Sequence, residues 1–118
     1  MTKTFLLLTT AISLSANPTL AQEGRLPFCA EQQSQKLLSN LIAENFSVKV
    51  LAYDETPTQI DFSGDERHIV ESESANTRQC YTRLVTSRGK ATVWFDLSWI
   101  KTNPPQVYIK LSRRPMFY

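Results

Sequence analysis

Cys29 and Cys80 are the only cysteines among 118 residues, and a bond between them would constrain this chain more than any other feature. Such a bond survives in an oxidising compartment, and one closing a loop of that length stabilises a fold by roughly 4 kcal/mol in the chain-entropy picture. That is a large share of the stability of a small domain.

The first residues point to the same compartment. Lys3 is followed by an apolar stretch from Phe5 to Leu14, a break at Asn17-Pro18 and the small-residue ending Thr19-Leu20-Ala21. This is the layout of a cleavable signal peptide, here residues 1–21. The apolar run is about half the roughly twenty residues that a spanning helix needs. Cys29 follows Pro27-Phe28 rather than small residues, so no lipid anchor is expected there. Residues 22–118 suffice for one domain and not for two. Thirteen basic against 11 acidic side chains leave a formal charge of +2, which gives no whole-molecule electrostatic case for nucleic acid or an anionic membrane.

Past a short polar leader, Leu37, Leu38, Leu41 and Ile42 recur at three- and four-residue spacing. This predicts an amphipathic helix over residues 28–45, with Pro27 in its first turn and Asn45 at its end. The rest of the chain is strand-like. Phe46, Val48 and Val50 alternate with polar residues, Asp54-Glu55-Thr56-Pro57 reads as a turn, and residues 59–62 and 67–73 read as shorter polar strands. Residues 77–101 read as a hairpin about Ser87-Arg88-Gly89-Lys90. Keeping its apolar residues on one face places Leu84 opposite Val93, Thr82 opposite Phe95 and Cys80 opposite Leu97. Asn103-Pro104-Pro105 forces another turn, and Val107, Ile109 and Leu111 make the last strand. The expected architecture is α+β, with one N-terminal helix packed on a four- to five-stranded antiparallel sheet and pinned to it through Cys29 and Cys80.

The residue types that carry chemistry are sparse. His68 is the only histidine; strand alternation would put Glu66 beside it, and two ligands do not make a metal site. Glu71 and Glu73 suit a guarded strand edge better than an acid–base pair. Glycines at 24, 64 and 89 form no phosphate loop. No cofactor, metal or catalytic set is expected.

The outward sheet face is richer. The register above sets Arg83 opposite Trp94 and Tyr81 opposite Asp96, with Tyr108 and Lys110 on the next strand. Tyr81, Arg83, Trp94, Tyr108 and Lys110 are the candidate binding residues, because aromatics interleaved with cations dominate many interfaces. The duller outcomes are a cross-strand pair in which Arg83 covers Trp94, or a face buried by residues 46–73. The tail Arg113-Arg114-Pro115-Met116-Phe117-Tyr118 either docks a partner or packs along the last strand. The expected function is an exported, non-catalytic protein that binds another protein in the cell envelope or extracellular space, as an inhibitor or immunity-type partner does. The alternatives are a hydrolase or metal-dependent enzyme centred on His68, and a small-ligand carrier with a helix–sheet cavity lined by Leu41, Phe95 and Trp99.

Overall fold

The structure, a computed structural model, describes residues 19–20, 24–61, 63, 65, 67, 69–100 and 104–118, the first two by backbone alone. Residues 1–18 and 21–23, and with them nearly all of the expected signal peptide, lie outside the described residues. So do Glu66 and His68, and Asn103 of the expected proline turn.

Among the described residues one helix, α1 (Gln32–Phe46), packs on an antiparallel sheet. Its buried stripe, Leu37, Leu38 and Ile42, is the one set by the three- and four-residue spacing, and Leu41 packs beside it half-buried. The helix starts later than the periodicity suggests, and Pro27 is not in it. Phe28 donates its N–H to Glu31 Oε2 and accepts the hydroxyl of Ser34, so the chain turns at Cys29 and Ala30 before the first helical residue. The helix ends at Ser47, which takes a left-handed conformation with φ 55° and donates its N–H to Ala43 O. Asn45, the expected stop, lies within the last turn and bonds Leu41 O.

The strands are β1 (Thr19–Leu20), β2 (Val50–Ile60), β3 (Thr77–Thr86), β4 (Gly89–Ile100), β5 (Gln106–Leu111) and β6 (Met116–Phe117). They run in the order β1-β5-β4-β3-β2, with β6 also on β4. Asp54 to Pro57, read as a turn from composition, lies inside β2. The pairing with β3 slips between Glu55 and Thr58, and Pro57, which has no N–H to donate, sits in that slip. The described residues of 67–73 form no strand. Asp61 draws in the N–H groups of Ser63 and Asp65 and the guanidinium of Arg67, and these local bonds wind the chain where a ladder would need it straight.

The hairpin turns on Ser87-Arg88, with Thr86 opposite Gly89. Cys80 therefore faces Phe95, Thr82 faces Val93 and Leu84 faces Ala91, two positions from the expected register. An even shift exchanges partners and leaves every side chain on its expected face. Gly89 has φ 106°, which favours glycine, and a Cβ there would lie 3.1 Å from Tyr118 O, a tight contact. The inward faces meet α1 in one core that includes Cys80, Leu84, Val93, Phe95, Leu97, Val107 and Ile109. Cys29 and Cys80 are joined, fully buried, with Cα atoms 5.8 Å apart. No helix of the described residues is long and apolar enough to cross a membrane.

Arg78, also on the inward face, is fully buried. Its guanidinium donates to Leu26 O, Pro27 O and Ser72 O, lies 4.7 Å from the Phe28 ring centroid and 3.5 Å from Glu71. Glu71 in turn accepts the N–H of Cys29. The carboxylate expected to guard a strand edge thus points into the protein, and one arginine gathers the leader, the loop after β2 and the strand that carries Cys80.

Tyr53 ties β2 to the helix: its hydroxyl donates to Gln35 O at 2.6 Å and meets Ser39 Oγ at 2.9 Å. Burial pushes this phenol from 10.0 up to about 12, against a smaller downward pull from Ser39. Because folding raises it, the stability this neutral phenol contributes is complete below 10.0 and lost as pH rises through about 12. Tyr53→Phe is expected to cost about 1 kcal/mol at neutral pH and to flatten the alkaline decline. Urea unfolding across that range checks both; an unchanged alkaline slope in the variant would remove Tyr53 as its source.

Candidate binding site on the outer sheet face

Strand alternation puts Tyr81 and Arg83 of β3 on the face away from the helix, with Thr92 and Trp94 of β4. Tyr81 stands directly opposite Trp94, ring centroids 5.9 Å apart and planes at 50°, and with Ile60 they form a second, smaller apolar cluster. Tyr81 and Trp94 are only 6% and 5% exposed, so the expected open face is in fact covered at its centre.

The cover is the C-terminal tail. β5 and β6 both pair antiparallel with β4, but between Leu111, opposite Phe95, and Met116, opposite Thr92, four residues of the tail face two of β4. The two extra residues lift Ser112–Pro115 out of the ladder as a wide bulge. Ser112 anchors it, donating its N–H to Trp94 O and its hydroxyl to Asp96 Oδ1. Arg113 is thereby carried over Trp94, with its guanidinium carbon 4.3 Å from the ring centroid, a spacing at which the cation and the ring attract. The cation expected there from Arg83 comes from Arg113 instead. Arg83 faces Thr92, and its guanidinium lies 3.6 Å from Glu55 Oε2.

Past the bulge the chain returns to β4. Lys90 and Tyr118 exchange both backbone hydrogen bonds, and the Tyr118 hydroxyl meets Thr92 Oγ1 at 2.8 Å. An open concavity of about 380 Å³ results, with Tyr81, Trp94 and Thr92 at its floor and Arg83, Arg113, Met116 and Tyr118 around it. Met116 and Tyr118 are 56% and 62% exposed. Tyr118, then Tyr81 and Glu55, hold the Arg83 guanidinium above its ordinary value. The indole Nε1 of Trp94, with Thr58 Oγ1 and Gln79 Oε1, is buried without a hydrogen-bond partner among the described residues.

Of the five candidates, Tyr81, Arg83 and Trp94 come together. Tyr108 and Lys110 are exposed on β5, opposite Ser98 and Asp96, and do not line the concavity. Arg113, Met116 and Tyr118 join the site through a bulge, and the only trace of this in the sequence is a Pro115 that cannot continue a ladder. Among the described residues no cluster of three or more His, Cys, Asp or Glu side chains is placed to hold a metal ion. Phe95 is fully buried in the core, with Leu41 and Trp99 packed half-buried against it. No family model, curated protein or solved structure matches the chain.

Proposed function

We propose that this is an exported, non-catalytic binding protein that holds another protein on the aromatic and cationic concavity. The observation that carries the reading is the composition of that hollow: Trp, Tyr, Arg and Met are the side chains enriched at protein interfaces, and Trp, Tyr and Arg are those that most often dominate their energies. Their arrangement supports the same reading. Tyr81 and Trp94 are held by neighbouring strands, so little side-chain freedom is lost when a partner arrives, while Met116 and Tyr118 remain exposed to meet it. The buried Cys29–Cys80 bond is compatible with the oxidising environment of the cell envelope or extracellular space. An inhibitor or immunity-type role is the specific form in which the captured protein is an enzyme that binding silences. Near-neutral net charge argues against nucleic acid as the occupant.

The test is a paired capture from envelope extract with the wild-type protein and an Arg83→Ala/Met116→Ala/Tyr118→Ala variant. All three side chains are at least partly exposed, so the fold is expected to survive their loss. A partner retained by the wild type should fall at least about tenfold with the variant, as losing several interface anchors implies. Equal retention by both proteins would sink the reading.

A further inference from the structure

We infer that the group recognised in the concavity is a carboxylate, presented by an acidic stretch of the partner protein and seated between Arg83 and Arg113. This rests on the reading of the outer face as a protein-binding surface and adds the chemistry of its ligand. Among the described residues, the side chains that line the hollow are cationic or neutral. Arg113 is held over Trp94 by its flat face, and among the described residues it makes no ion pair. A guanidinium stacked on a ring still has its in-plane N–H donors to place, and a carboxylate is the acceptor whose geometry matches that fork.

The chain already shows a carboxylate resting against this cationic rim. Glu55 Oε2 lies 3.6 Å from Arg83, and both side chains are close to half exposed, at 46% and 45%. An ion pair that open to water contributes little and exchanges readily, so Glu55 acts as an internal competitor that an incoming carboxylate displaces or joins. Two guanidiniums thus stand at the hollow against the single side-chain carboxylate of Glu55. The aromatic floor and Met116 would cover the apolar stem of a glutamate, and the hollow is large enough for one or two side chains and too small for a folded element.

Trp94 supplies the readout, because it is one of only two tryptophans and Trp99→Phe leaves it alone. Hexaglutamate titrated into that protein is expected to change Trp94 emission saturably. Arg83→Gln and Arg113→Gln should each weaken binding about tenfold, the usual worth of a charge-assisted contact. Glu55→Gln should tighten it about threefold by removing the competitor. A merely structural Glu55 would not move the affinity upward. The inference is overturned by the absence of a saturable response, by a response that survives the Arg83→Gln/Arg113→Gln double variant, or by inorganic phosphate or hexalysine binding as tightly as hexaglutamate. Any of these results alongside partner capture that still depends on Arg83, Met116 and Tyr118 would reject the carboxylate and leave the binding face standing.

Discussion

Replacing Arg78 with methionine is expected to lower the free energy of unfolding by about 3–5 kcal/mol, the range seen when one partner of a buried ion pair is removed. Methionine fills much of the space of the arginine stem, so the loss would come from polar groups and not from a cavity. Three carbonyl oxygens, of Leu26, Pro27 and Ser72, lose their donor, and Glu71, with a side chain only 17% exposed, loses its counter-ion. pH separates these contributions. Burial raises the Glu71 carboxyl above its ordinary 4.5, while the Cys29 N–H and Arg78 pull it back. For a carboxyl raised by folding, the associated stability is complete below its unfolded value and is lost as pH climbs through the folded one. Without Arg78 that folded value rises further, so Arg78→Met should cost least near pH 4.5 and most at neutral pH. Urea unfolding at both pH values checks the prediction, and a cost under about 1 kcal/mol, the worth of an ordinary hydrogen bond, would show that the clamp is dispensable. Arg78→Lys should fall between, since an ammonium keeps the charge and cannot reach three carbonyls with one planar fork.

Arg78 also marks where sequence reasoning stops. The stripe of Leu37, Leu38 and Ile42 and the inward series from Ala91 to Trp99 are legible because burial imposes a period on a helix or strand. The Cys29–Cys80 link is legible because a chain with two cysteines has one internal pairing. Arg78 falls on the inward side of the same alternation as Cys80, and a charge there contradicts the pattern unless its partners are known; those partners are mostly backbone carbonyls, which no sequence displays. The observed hairpin register differs from the expected one by an even step because the apolar pattern distinguishes odd shifts from even ones and nothing finer. That slip exchanged Arg83 for Tyr81 opposite Trp94. The part of the site supplied by Arg113, Met116 and Tyr118 depends on two extra residues in the strand that follows β5, and a bulge leaves no periodic trace.

The second large effect is expected from Cys29→Ala/Cys80→Ala, which removes the cross-link without introducing buried hydroxyls that would lack partners. Opening a loop of this length costs about 4 kcal/mol through the unfolded chain. The loss should not simply add to that of Arg78→Met. The disulfide holds the leader at Cys29, and Arg78 holds it at Leu26 and Pro27, the residues just before the turn. If the leader detaches once the covalent tie is gone, the hydrogen bonds of Arg78 to it are already lost. Arg78→Met should then cost about 1–2 kcal/mol less in the alanine background than in the wild type, within the range of couplings between contacting groups. Additive losses would mean that each tie holds the leader alone. The outer face offers an internal control: Cys80 and Tyr81 are neighbours on β3 whose side chains leave opposite faces of the sheet. Wherever the alanine variant is still folded, its concavity should bind hexaglutamate as the wild type does. Stability lost with affinity retained would place the two halves of the molecule under separate control, the helix side for folding and the bulged side for recognition.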